Sequence, residues 1–346
     1  MAGNKHILVI RLSAMGDVAM TVPVLRALTL QYPEVRVTVL SRDFFKPFFD
    51  GIPNLSFYAA DVSGKHKGLL GLWKLFKELK QLNIDAVADL HNVLRSKIVT
   101  FLFSLSGKKT ATVDKARSEK KALTREKNKI FRPLLSVTER HALVFKKLGY
   151  PVILSNPVFP EMKGLTENII AVAGQKTGTW IGIAPFAQHQ GKVYPQDLMQ
   201  EVVNELSQHP DYKLFLFGGG RREAEILEIF AGGRDNVIVV AGKMNLTQEL
   251  DLITNLDVML SMDSGNAHMA AMLGVKTVTL WGATHPYAGF APFGQPEGNT
   301  IVSDREKYPL LPTSIYGNKK VEGYDDAMRT ILPRDVSNKI KQVLNQ

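Results

Sequence analysis

The stretch Lys5-His6-Ile7-Leu8-Val9-Ile10-Arg11-Leu12-Ser13-Ala14-Met15-Gly16-Asp17 decides the fold. Its first half is a short apolar run without alternation, the pattern of a strand buried on both faces of a parallel sheet. Its second half breaks into small and polar residues, and a helical stretch follows to about residue 31. Working outward, the same strand-then-helix alternation returns. Strands are expected over 35–40 and 86–90, helices over 44–49, 68–82 and 94–105. After a proline-containing connection at 151–160 a second series begins. It has strands over 180–184, 213–217, 236–240, 258–261 and 276–280, and helices over 195–207, 221–230, 247–255 and 266–273. Such alternation predicts α/β architecture with two Rossmann-like, doubly wound domains facing a cleft. The expected division is 1–162, 163–325 and a terminal piece 326–346 carrying a helix at 335–344.

Composition agrees. A chain of 346 residues suits about two domains, and 45% hydrophobic with 22% charged residues excludes a disordered or fibrous chain. There is no cysteine, which excludes disulfides, thiolate metal sites and cysteine nucleophiles. No apolar run approaches the ~20 residues of a spanning helix, and the start of the chain has no secretory pattern; a cytoplasmic location is the expectation. The net charge is +10, and residues 107–132 hold ten basic residues against three acidic. That segment reads either as a solvated face or as a surface for an anionic partner. Its few aromatics argue against base stacking, so nucleic acid is not expected.

Parallel sheets bind ligands at the carboxyl ends of their strands, and three junctions there are rich in small and polar residues. In Ser13-Ala14-Met15-Gly16-Asp17, Gly16 permits a tight turn and Asp17 stands at a helix start. It is either a helix cap stabilised by the macrodipole or a general base kept ionised by it. In Ser261-Met262-Asp263-Ser264-Gly265-Asn266-Ala267-His268, free N–H groups at a helix start offer an anion site. His268 either donates to a phosphate oxygen or is a structural hydrogen bonder. The third junction, Phe217-Gly218-Gly219-Gly220-Arg221-Arg222-Glu223, is a close backbone approach or a flexible turn. It matches neither a G-x-x-x-x-G-K-[ST] loop nor G-x-G-x-x-G, so nucleotide hydrolysis and dinucleotide redox lack support. Lys192, just before Pro195, either neutralises a pyrophosphate or is solvated. With no H-E-x-x-H helix, G-x-S-x-G elbow or D-x-D pair, a metal-free mechanism is expected.

Four features in order carry a resemblance. They are Ile10-Arg11-Leu12-Ser13-Ala14-Met15-Gly16-Asp17 with Pro23, the Lys192 to Pro195 segment, the glycine cluster with Glu223, and Asp263-Ser264-Gly265-x-x-His268 followed by Leu280-Trp281-Gly282-Ala283-Thr284. On these the chain resembles glycosyltransferase family nine, the ADP-heptose:lipopolysaccharide heptosyltransferases. The resemblance implies a GT-B fold with the donor in the C-terminal domain, the acceptor in the N-terminal one, and the C-terminal helix at 335–344 crossing back to pack on the first domain. It implies Asp17 as catalytic base of an inverting, metal-independent transfer. The donor, an ADP-heptose or similar nucleotide sugar and no separate cofactor, would be held by Lys192, Asp263, Ser264, Gly265, His268 and Thr284, with Glu223 on the ribose and Met244 near the adenine. Ser13, Gly16, Arg95, Arg117 and Lys120 would meet an anionic, lipid-linked inner-core acceptor. The basic segment 107–132 would attract that acceptor and the cytoplasmic face of the inner membrane. The family pattern is departed from in two places: Val193-Tyr194 stand where Arg-Trp is common, and Ala19 where His is often found. The alternatives are a nucleotide-sugar 2-epimerase of the same fold and a non-catalytic protein that binds anionic glycolipid.

Overall fold

A computed structural model describes residues 5–346, which form two compact units. In the first, the strands are β1 (His6–Ile10), β2 (Arg36–Ser41), β3 (Leu55–Ala59), β4 (Ala86–Asp89) and β5 (Lys109–Thr112). They form one parallel sheet in the order β3-β2-β1-β4-β5. The apolar run forms the central strand because all five of its residues are shielded from water. Strand order reverses direction at β1, and right-handed crossovers then put helices on both faces. The helices Gly68–Lys80 and Leu94–Leu105 bury Leu72, Leu75, Phe76, Val99 and Phe103 against Leu8, Ile10 and Val87.

The second unit holds β6 (Thr179–Ala184), β7 (Tyr212–Leu216), β8 (Val237–Val239), β9 (Val258–Met262), β10 (Thr277–Trp281) and β11 (Thr300–Val302). Its parallel order is β11-β10-β9-β6-β7-β8, with the reversal between β6 and β9. Both units therefore have the doubly wound, Rossmann-like topology expected.

Two expectations about domain organisation need correction. The first unit runs to Ala116 and takes Leu135–Phe159, whereas Arg117–Leu134 clusters with Pro160–Gln346 in the second. The reason is local packing. Lys129 donates to the carbonyls of Leu310 and, at 2.8 Å, Pro312. Phe131 packs on His285 and Tyr287 and carries the Arg305 guanidinium 3.4 Å above its ring. Much of the basic segment is thus bound within a fold, and burial pushes the Lys129 ammonium down to about 8.

The second correction concerns the terminal helix, Pro333–Leu344, expected to pack on the first domain. Its Val336, Ile340 and Val343 recur on one face and are fully buried in the core of the second unit. They meet the helix Gln196–Ser207, whose Met199, Val202, Val203 and Leu206 form the complementary stripe. Lys341 closes the pair on Glu205 at 2.8 Å.

Candidate functional site

In the first unit, β1 and β4 flank the point of reversal, where a doubly wound sheet opens a crevice. β1 leads into Arg11, whose side chain is 8% exposed despite its charge. One guanidinium nitrogen donates to the Leu90 carbonyl at 2.7 Å, and another lies 2.5 Å from an Asp17 carboxylate oxygen. Asp17 sits in the short helix Met15–Ala19 and also accepts from the Ala14 N–H at 3.4 Å. Its carboxylate is 30% exposed, so it is fixed in direction yet reachable. Ser13 and Gly16 frame it, half-buried.

The other side of the crevice comes from the residues after β4. Asp89 is fully buried and accepts from the His91 and Asn92 amides at 2.9 and 2.8 Å and from the Ser96 hydroxyl at 3.0 Å. Burial raises its pKa, although these donors favour the carboxylate. His91 is held neutral: burial, then the Arg11 and Lys115 charges, push it down to about 4. Its Nδ1 accepts from the Leu12 N–H at 3.4 Å, which leaves the proton on Nε2. His141, wholly buried, is pushed to about 3 by burial and then by Arg11. Arg11, Asp89, His91 and His141 were assigned no role from sequence. The available signals were an arginine ending an otherwise apolar strand and the Asp-Leu-His-Asn turn at a strand's carboxyl end.

Arg95 lies exposed in the first turn of Leu94–Leu105 and lines a cavity of about 600 Å³ with Arg42 and Lys67. The two other acceptor candidates stand elsewhere, in the second unit. Arg117 is exposed at the start of the helix Arg117–Thr124. Lys120 is buried, its ammonium 4.1 Å above the Phe290 ring, so it packs a fold rather than presenting a free charge.

The second unit gathers its candidates at the reversal between β6 and β9. β9 delivers Asp263, 5% exposed, whose carboxylate lies 3.0 Å from the Lys192 ammonium. Ser264 precedes the helix Gly265–Met272, its hydroxyl 3.0 Å from that of Ser261. His268 is buried within this helix. Lys192 reaches Asp263 because its turn lies directly on the turn after β10. Ala283 donates to the Gly191 carbonyl at 2.8 Å, and a Cβ on Gly282 would stand 2.6 Å from that carbonyl oxygen. Two residues beyond, Thr284 is buried and its hydroxyl has no hydrogen-bond partner among the described residues. Such a group costs about 1–3 kcal/mol unless a ligand or water meets it.

Glu223 folds back on its own turn and accepts from the Gly219 N–H at 2.6 Å, ordering the glycine cluster before the helix Gly220–Ala231. Met244 is half-buried just before the helix Leu246–Ile253. Within that helix burial raises Glu249 to about 7. Among the described residues no three His, Asp or Glu side chains cluster as metal ligands.

The first unit thus holds a carboxylate oriented by Arg11, and the second holds a lysine ammonium and helix N–H groups suited to a diphosphate. The family model described as glycosyltransferase family 9 (heptosyltransferase) matches residues 72–314. A lipopolysaccharide core heptosyltransferase of Haemophilus influenzae, OpsX, is 27% identical over 82% of this chain and 80% of its own length. A solved family 9 glycosyltransferase from Veillonella parvula superposes with a TM-score of 0.77 at 20% identity, covering 100% of this chain and 98% of that one. The E. coli heptosyltransferase WaaC, solved with ADP, gives a TM-score of 0.68 at 18% identity over 98% and 99% of the two chains. These likenesses show the GT-B fold, and the match to more than half of the sequence shows the lineage. The chain is a glycosyltransferase and belongs to family 9, the heptosyltransferases.

Proposed function

We infer that this enzyme transfers a heptose from ADP-heptose to an anionic inner-core acceptor of lipopolysaccharide, with inversion and without a metal ion. The observation that carries the reading is Asp17, aimed by Arg11 and partly open to solvent at the carboxyl edge of β1. It takes the proton of an acceptor hydroxyl, and that oxygen forms a bond to the anomeric carbon from the face opposite the nucleotide. The bond to the diphosphate oxygen breaks and ADP leaves with the electron pair. Charge growing on the leaving group is met by Lys192, whose three N–H donors can serve a phosphate while keeping Asp263, and by the N–H groups starting the helix Gly265–Met272. The Thr284 hydroxyl adds a hydrogen bond to the phosphates. Glu223 holds the ribose and Met244 the adenine. Ser13, Gly16 and Arg95 hold the acceptor, with Arg117 a further contact. The enzyme works on the cytoplasmic side of the inner membrane, where a lipid-linked acceptor is available. Membership of family 9, the activities for which its relatives are named and the ADP found with WaaC support this choice of substrates.

The test is acceptor-dependent release of ADP from ADP-heptose, in EDTA, on heptose-deficient lipopolysaccharide, with the product's anomeric configuration read by NMR. Asp17→Asn should lower kcat by about 10²–10⁴, the usual worth of a general base, with ADP still raising the melting temperature. Consumption of the nucleotide sugar without acceptor would instead identify an epimerase. An unchanged rate in Asp17→Asn would remove the base assignment.

A further inference from the structure

Large apolar side chains left in water are unevenly spread over the first unit. The helix Gly68–Lys80 exposes Leu69, Leu70 and Trp73, with Leu70 at 86%. The helix Leu94–Leu105, packed beside it through an edge-to-face contact of Phe76 on Phe103, exposes Leu94, Phe101 and Leu105. In that second helix the exposed positions follow a spacing of seven and four, with half-buried Ile98 between them. This is one stripe, opposite Ser96, Val99, Thr100 and Phe103, which face the core. Each helix is thus apolar on its outward as well as its inward side. Apolar outward faces on two helices packed side by side mark a candidate interaction surface.

The charges around it select the partner. The two helices carry Lys74, Lys77, Lys80, Arg95 and Lys97, and their one acid, Glu78, is occupied by Lys65, His66 and Tyr58. The Lys77 ammonium lies 5.6 Å from the Trp73 ring centroid, an apolar ring and a cation presented together. Long basic side chains that cover apolar surface while their heads reach outward suit a headgroup layer. Lys67 and Arg95, at the start of the two helices, also line the 600 Å³ cavity at the carboxyl edge of the sheet.

We propose that the outward faces of the helices Gly68–Lys80 and Leu94–Leu105 dock on an anionic lipid surface, Leu70, Trp73, Leu94, Phe101 and Leu105 entering the acyl boundary while the flanking lysines meet phosphate headgroups. This places the docking face on the helix pair, whereas the sequence reading placed it on the basic segment 107–132. Docking does not depend on heptose transfer and is read without donor or acceptor.

The full chain is sedimented with vesicles of phosphatidylcholine and with vesicles about a third phosphatidylglycerol, alongside the double variant Leu70→Glu, Phe101→Glu. Both positions are solvent-exposed, so the variant should melt as the wild type does and transfer normally to a delipidated, soluble acceptor. The expected result is binding to the anionic vesicles, weakened by salt and lowered about tenfold or more in the variant. Equal binding of the two proteins would overturn the proposal, since basic charge elsewhere would then suffice. So would a wild type that ignores vesicles but runs as a dimer that the variant dissolves, for the occupant would be a second copy of the chain.

Discussion

One buried guanidinium governs what Asp17 can do. Arg11 lies almost out of water and its charge is answered by a carbonyl on one side and by Asp17 on the other. Replacing it with methionine keeps the bulk but frees the carboxylate to turn. On the role proposed for Asp17, Arg11→Met should lower kcat by about tenfold or more, because the carboxylate loses the cation that aims it. ADP binding, proposed above for the other unit, should not change, and a thermal-shift titration checks this. The Lys192–Asp263 pair is the counterpart. Lys192→Met leaves a buried carboxylate unanswered, so ADP affinity and stability should both fall. Adding Asp263→Asn should restore part of the stability, with a coupling of about 0.5–3 kcal/mol in a double-mutant cycle of urea unfolding.

Among elements, the two turns that meet at Gly191 and Gly282 position Lys192 and Thr284, and they touch because neither has a side chain there. Gly282→Ala would set a methyl 2.6 Å from the Gly191 oxygen and against Met328. The expected cost is about 1–3 kcal/mol, seen as a lower urea midpoint, together with weaker ADP binding. Long, periodic elements were legible in the sequence. β1, the helix Leu94–Leu105 and every strand of the second sheet except β11 follow directly from their apolar patterns. The missed elements had weak or masked patterns. β5 reads Lys-Thr-Ala-Thr and buries little beyond Ala111, so it vanished into a charge run. β3 at the other edge is half exposed. The helix Val137–Leu148 was missed as well, although its Ser136 and Glu139 capping box is a signal that could have found it. The candidate donor residues were legible because each follows a strand end, whereas the fate of Lys120 depends on Phe290, a contact no local pattern encodes.

For the molecule as a whole, buried ionisable groups set the response to acid. His91, His141 and His285 have pKa values lowered from 6.5 to about 4, 3 and 4. Between pH 6.5 and about 4 the unfolded chain therefore binds protons that the native chain refuses, and stability is lost as pH falls through that window. Glu249 works in the opposite sense. Its pKa is raised from 4.5 to about 7, so the native state is penalised as pH rises between those values. Glu249→Gln should raise stability at pH 8 by about 1–3 kcal/mol and leave it unchanged below pH 4.5; melting curves across pH 4–8 measure both. The excursion of Arg117–Leu134 has a different consequence, for how the chain is made and cut. The polypeptide passes from one unit to the other three times, at residues 116–117, 134–135 and 159–160. A ribosome that has released residue 159 has delivered every residue of the first unit, yet Lys129 and Phe131 must wait until residues 285–312 are synthesised. A fragment ending at Phe159 would carry those eighteen residues stripped of their partners, so the first unit is not separable by a single cut.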